Sequence, residues 1–406
     1  MKLFSFLTSC LFLINSNAQT ITNYTTSDGL LDNFVECIDV DVNDNIWFGT
    51  SVGVQSFDGV NWISYYMSNY PGLPSDNIKV IKAVSNGNIW IGTDYGASIF
   101  DGYSWTSYTS SNGLSSNQVK SIDEDNNGGV WIGTNQGVSH FDGNSWISYS
   151  SPDLHWSGVN ATDFDSNGDK WFATPLGGVT HFDGTTFTVY DTSNGLLSQN
   201  VTDLLIDNQG NKWVGTGSGM SVLDVSNTSF THYTQMYLLP PPDTLNPVVD
   251  IAKDSWGRIW TTIYVGYLAE GGVAMWNGNQ WIDFDISDGL AGPNVKGLAI
   301  DSEDNIWIAT STGVSKITSM PSSVNSVSLS NIDVYPNPTS GNLIVSNIET
   351  NFTNISIYNM LGSLMYSEKI SQKNKIELDF SFLSSGIYNL VFSSDKGFAN
   401  QKIIIE

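Results

Sequence analysis

One short motif governs how this chain can fold: a tryptophan-centred hexapeptide that recurs seven times. It runs Asn45-Ile-Trp-Phe-Gly-Thr50, Asn88-Ile-Trp-Ile-Gly-Thr93, Gly129-Val-Trp-Ile-Gly-Thr134 and Asp169-Lys-Trp-Phe-Ala-Thr174. It continues as Asn211-Lys-Trp-Val-Gly-Thr216, Arg258-Ile-Trp-Thr-Thr-Ile263 and Asn305-Ile-Trp-Ile-Ala-Thr310. A β-branched residue and an aromatic ahead of a small residue make a short buried strand. The tryptophans are separated by 43, 41, 40, 42, 47 and 47 residues. A period of about 40–45 residues is that of a β-propeller, in which each unit is a four-stranded blade that buries its faces only against its neighbours.

The third unit parses most clearly. Val119–Asp123 alternates as an inner strand, Asp125-Asn-Asn-Gly-Gly129 turns the chain, and Val130–Thr134 and Gly137–Phe141 follow as strands. Asp142-Gly143 makes a hairpin. The outer strand is Ser145–Tyr149, with Trp146 packed on it. The seventh unit stops after Gly313-Val-Ser-Lys-Ile317 and lacks an outer strand. Near the N-terminus, Ile21-Thr-Asn-Tyr24 followed by Ser27-Asp-Gly-Leu30 matches Trp105-Thr-Ser-Tyr108 followed by Ser111-Asn-Gly-Leu114. That segment is expected to complete the last blade and remove an edge open to aggregation. The expectation is an all-β chain, with a seven-bladed β-propeller over residues 19–318.

Composition agrees with short strands and narrows the partners. The chain is 12% aromatic with 38 glycines and only 14% charged residues, which favours tight turns over long solvated helices. The net charge of −25 argues against nucleic acid, whose phosphates would be repelled. Residues from Ser322 onward hold seven acids and five lysines, so the propeller carries nearly all of that charge. Lys2, an apolar stretch from Leu3 to Ile14 and Ser16-Asn17-Ala18 before Gln19 read as a signal peptide over residues 1–18. A lipoprotein box at Leu7-Thr8-Ser9-Cys10 is the alternative, but the apolar run continues past Cys10. Cleavage at Ala18 leaves Cys37 alone, so no internal disulfide can form. No later apolar run is long enough for a transmembrane segment.

The repeats resemble the two-component-regulator propeller family, whose motif couples a Gly-Leu loop, a Val-x-x-Ile strand and a Trp-Ile-Gly-Thr strand. The likeness covers roughly residues 20–319. In that family such propellers commonly form the extracytoplasmic sensor half of hybrid histidine kinases, often in tandem; here there is one propeller and no kinase. After a Ser-rich linker, residues 319–330, come Val334-Tyr-Pro-Asn-Pro338, Leu383-Ser-Ser-Gly-Ile-Tyr388 and Lys402-Ile-Ile-Ile405. Residues 331–406 resemble the type A C-terminal sorting domain of the type IX secretion system, although that family usually ends on more basic residues than Glu406. The resemblance implies a small Ig-like β-sandwich, the type IX machinery as partner, and display on the outer surface or release outside the cell. The other reading of the tail is a small carbohydrate-binding sandwich.

Catalytic constellations are sparse. Asp58, Asp101, Asp142 and Asp183 share one Phe-Asp-Gly hairpin and read as turn residues. Asp163-Phe-Asp-Ser-Asn-Gly-Asp169 resembles the start of a calcium loop, but Thr174 stands where a bidentate Glu belongs. A structural turn is the expectation there, with no cofactor, and weak calcium binding is the alternative. His140, His181 and His232 fall at repeat positions, leaving only His155 outside the pattern. Streptogramin-inactivating propeller lyases use a His and Glu constellation that Glu36, Glu124, Glu270 and Glu303 do not assemble with His155 in the sequence. No metal triad, nucleophile elbow or phosphate loop is present.

Binding is then expected where the repeat breaks. Ser151-Pro-Asp-Leu-His-Trp-Ser-Gly158 replaces an Asn-Gly-Leu loop, Tyr237–Pro247 is inserted before the sixth unit, and Tyr264–Gly271 lengthens a turn within it. All three leave second or fourth strands, whose loops share one face around the central channel. Taken as lying on consecutive blades, they are expected to converge on one sector of it. A ligand site there would comprise Trp156, Tyr237, Tyr264 and Tyr267, with His155 and Glu270 as polar partners, suited to a neutral glycan or a peptide. The other reading is that these aromatics cap blade edges. The expected function is a secreted or cell-surface, non-catalytic binding or adhesion propeller; a lyase or hydrolase acting on a polysaccharide or small molecule is the alternative, and a structural surface-layer role a third.

Overall fold

The computed structural model describes residues 20–151, 153–154, 156–237, 246–264, 271–318, 325–326, 332–347, 354–359, 364–370, 375–394 and 397–405. Two compact units divide after Ser319.

The first unit is a seven-bladed propeller of four-stranded antiparallel sheets. Blades one to six use consecutive strands; in blade three these are Val119–Glu124, Val130–Thr134, Gly137–Phe141 and Trp146–Tyr149. The seventh sheet orders Ile21–Tyr24, Gly313–Ile317, Ile306–Thr310 and Val295–Ile300. The N-terminal strand is thus its outer strand, with Ile21 opposite Ile317 and Tyr24 opposite Val314. Tyr24 stacks on Trp307 at 5.4 Å and meets Phe57 of blade one at 5.6 Å, so one side chain joins both ends of the ring.

In most blades two carboxylates shape the turns. In blade three, Asp125 accepts the backbone N–H of Asn127 and Gly129 and the indole N–H of Trp131, the last at 2.9 Å. The same indole bond joins Trp47 to Asp41, Trp213 to Asp207, Trp260 to Asp254 and Trp307 to Asp301. The first hairpin and the buried tryptophan are therefore one unit, and blade two stands apart because Val84 replaces the acid. At the second hairpin, Asp142 accepts from the N–H of Asn144 and Ser145 while Gly143 takes φ +96°. These bonds hold turns, which is what the Phe-Asp-Gly pattern implied.

Between blades the core is aromatic and tightly spaced. Trp90 of blade two packs with Leu114, Val119, Ile122 and Ile132 across the seam to blade three. The motif glycine sits where the next blade approaches: a Cβ on Gly215 would stand 2.5 Å from Cγ1 of Val248. Burial of each such tryptophan contributes on the order of 3 kcal/mol.

The second unit holds two sheets over one core. One orders Asp333–Tyr335, Asn342–Ser346 and Lys375–Asp379; the other orders Asn325–Ser326, Gly397–Ile405, Gly386–Ser394, Asn354–Asn359 and Leu364–Lys369. Leu343, Val345 and Leu378 from the first meet Ile355, Ile357, Leu390, Phe392 and Ile403 from the second, the arrangement of a sandwich. Alternation explains the faces: Lys375–Asp379 reads exposed, buried, exposed, buried, exposed.

Candidate ligand site at the central channel

The seven inner strands enclose a cavity of about 630 Å³, a size that accommodates a small ligand. In six blades the inner strand carries a β-bulge just after its first residue. The extra residues are Glu36, Lys79, Lys120, Thr202, Val249 and Lys296, and all six line the channel. A bulge re-aims side chains, here at the same level in each blade.

Deeper in the channel, aspartates fasten one blade to the next. Asp39 accepts from the N–H of Ala83, Asp163 from Ile206, Asp203 from Ile251 and Asp250 from Leu298, at 2.6 to 2.8 Å. Burial raises the carboxyls of Asp39, Asp163 and Asp250 above the ordinary range. Burial also takes Asp123 up to about 7, against the pull of the Lys82 ammonium. Asp203 is held well above the ordinary range by burial and by Asp250, with which it shares a hydrogen bond. Asp39 is the largest influence keeping Lys82 protonated.

Lysines gather in the same place. Lys79, Lys82, Lys120, Lys253 and Lys296 line the channel, five of the nine basic residues between residues 20 and 318. Lys253 donates to the Ile206 carbonyl. Lys79, Lys120 and Lys296 have no carboxylate within 4.0 Å among the described residues. The Lys296 ammonium lies 5.1 Å from the Phe34 ring and 5.4 Å from the Tyr264 ring. Phe34 precedes an inner strand and Tyr264 follows a second strand, so this cluster marks the channel mouth on the face where the repeat breaks.

Of the residues singled out from sequence, Trp156, Tyr237 and Tyr264 are described, and their surroundings differ. Trp156 is 43% exposed in its loop, anchored by the fully buried Leu154. Tyr237 is not available to a ligand: it is 4% exposed, packs in the core between blades five and six, and its hydroxyl reaches Asp285 at 3.3 Å. The insertion turns this ring inward because Asn246 accepts both the Met236 and Tyr237 N–H groups. Tyr264 stands at the channel mouth beside Lys296. His155, Tyr267 and Glu270 lie outside the described residues. The shared sector is also corrected. The Trp156 loop follows blade three and the Tyr237 loop follows blade five, so the junction after blade four, containing Thr192–Asn194, separates them.

The other candidates make contacts within their own blades. Asp165 accepts from the Asn167 and Asp169 N–H groups and so closes a turn in the calcium-like loop. Asp165, Asp169 and His181 come within 4.8 Å of one another, but His181 already pairs with Asp169 at 2.9 Å. Lys212 lies 4.6 Å over the adjoining Trp171 ring and adds a cation beside them. His140 stacks on Trp131 at 4.4 Å and His181 on Trp171 at 4.3 Å, while His232 bonds the Ser221 hydroxyl. The channel lysines escaped the sequence reading, although a signal existed: Lys follows the first apolar residue in Ile78-Lys-Val-Ile81, Val119-Lys-Ser-Ile122 and Val295-Lys-Gly-Leu298.

Fold and channel define a seven-bladed propeller with a polar, charge-lined axis. Residues 72–95 and 113–136 match the family described as two-component regulator propeller, and residues 333–406 match the secretion system C-terminal sorting domain. The chain therefore carries regulator-type propeller repeats and ends in a type IX sorting domain, which marks it for export to the cell surface or extracellular space. No curated protein sequence matches the chain significantly. Among solved structures it is similar to the extracellular domain of a protein described as a hybrid two-component system from B. thetaiotaomicron, at 18% identity and TM-score 0.64, covering 95% of this chain and 57% of that one. It is similar to PorZ, a surface component of the type IX secretion system of Porphyromonas gingivalis, at 17% identity and TM-score 0.60, covering 92% and 60%. Virginiamycin B lyase from Staphylococcus aureus is similar at 15% identity and TM-score 0.60, covering 74% and 99%. The first two are longer proteins, of which this chain spans 57% and 60%. Among the described residues no helix is long and apolar enough to cross a membrane.

Proposed function

We propose that this chain is a non-catalytic binding propeller, displayed on or released from the cell surface, that takes a glycan on the face around its channel mouth. The observation that carries this reading is the set of exposed rings on that face. Phe34, Tyr95 and Trp156 are 39%, 67% and 43% exposed, and Tyr264 sits at the mouth itself. Exposed rings offer stacking area to sugar rings. The propeller neighbours support a surface role through their fold. Among the described residues, His140, His181 and His232 are each engaged in the scaffold, which favours binding over a lyase.

The test is a glycan and peptide array probed with the purified full chain. A glycan hit that is lost in Trp156→Ala and Tyr264→Ala, with melting temperature nearly unchanged, supports the reading. Binding confined to peptides, or a large fall in melting temperature for both variants, refutes it in favour of a peptide module or of rings that cap the blades.

A further inference from the structure

We infer that the channel mouth is an anion-selective subsite for a carboxylated glycan, built from Lys79, Lys120 and Lys296 with the Phe34 and Tyr264 rings. This deepens the glycan reading above and rests on it.

The first argument is placement. The three lysines occupy the same bulge position in blades two, three and seven, so all present ammonium groups at one level of the channel. Glu36, on the blade between seven and two, is the one acid among the six bulge residues. The level is therefore net positive in a chain of net charge −25. Lysines are strongly hydrated, and gathering like charges at a narrow opening is unfavourable unless an anion compensates. The deeper aspartates do not do this, being occupied by backbone N–H groups of neighbouring blades and, in Asp203 and Asp250, by each other. No described carboxylate lies within 4.0 Å of the three ammonium groups.

The second argument is the choice of anion carrier. Lys296 lies between the Phe34 and Tyr264 rings, which puts aromatic faces beside a cation. A uronic-acid sugar satisfies both, its C–H face against a ring and its carboxylate against an ammonium. An acidic peptide would use the charges but leave the exposed rings around the mouth without a partner. In a chain of net charge −25, a cluster of lysines at the mouth also favours one orientation of approach for an anionic ligand.

The experiment is calorimetric titration of the full chain with tetragalacturonate, its fully methyl-esterified and hence neutral counterpart, and a hexaglutamate peptide. Tetragalacturonate is expected to bind, to weaken at high salt, and to lose about tenfold in affinity in each of Lys79→Gln, Lys120→Gln and Lys296→Gln. Lys170→Gln, whose ammonium bonds the Gly168 carbonyl, is expected to leave it unchanged. Equal binding of the ester overturns anion selectivity while leaving the glycan reading intact. Binding of hexaglutamate without tetragalacturonate overturns the choice of glycan. Tetragalacturonate binding that survives all three lysine variants but fails in Trp156→Ala places the site elsewhere and overturns the inference. Absence of binding by all three probes overturns it as well, and the array then judges the glycan reading separately.

Discussion

Replacing Asp123 by Asn should stabilise the propeller at neutral and alkaline pH and do nothing at pH 4. Burial raises this carboxyl from 3.8 to about 7, with Lys82 opposing and Asp163 and Asp39 reinforcing the rise. Between those two values the native state keeps a proton that the unfolded chain has released, so stability falls as pH rises through the window. A rise of that size corresponds to about 4 kcal/mol at most, and screening of a carboxyl that lines the channel reduces this to about 2 kcal/mol. The substituted amide would keep a side-chain oxygen for the Thr162 N–H, which Asp123 now binds at 3.2 Å, and would remove only the charge. For a propeller of this size 2 kcal/mol amounts to about 3 °C in melting temperature. The assay is thermal unfolding of both proteins from pH 4 to pH 8. Coincident curves near pH 4 that separate by about 3 °C in favour of the Asp123→Asn variant at pH 8 are expected. A variant that is less stable throughout, with the pH slope unchanged, would show Asp123 ionised and paired with Lys82, and would refute the reasoning.

Tyr24→Ala removes the ring that joins the first and last blades, and should cost about 3 kcal/mol and raise light scattering on heating as the last blade's edge opens. Tyr237→Phe removes the hydroxyl bond to Asp285, so a fall of about 1 kcal/mol in denaturant unfolding with unchanged glycan titration is expected. Gly215→Ala drives a methyl against Val248 and should destabilise by about 1–3 kcal/mol, read from the urea midpoint.

Much of the fold was legible in the sequence because it is set locally. The seven tryptophans and the hairpin aspartates each act within a few residues, as Asp125 does in capping its turn and accepting from Trp131. The match of Ile21–Tyr24 to an outer strand was visible for the same reason, since complementarity to Gly313–Ile317 is written in the repeat itself. The site was less legible. Tyr237 reads as an inserted aromatic, and nothing local says that Asn246 will turn it inward. The sector expected of Trp156 and Tyr237 failed because spacing along the chain does not reveal that another junction intervenes around the ring.

Sequence periodicity alone thus determines that four-stranded units repeat seven times, since strand patterning, turn chemistry and the buried tryptophan need only near neighbours. Tertiary structure decides what the ring encloses. Lys79, Lys120 and Lys296 are far apart in the chain and unremarkable singly; only closure of the ring, with a bulge at one level of six inner strands, brings them to a single opening. Charge is pairwise and long-ranged, so its consequences appear only when distances across the channel are set.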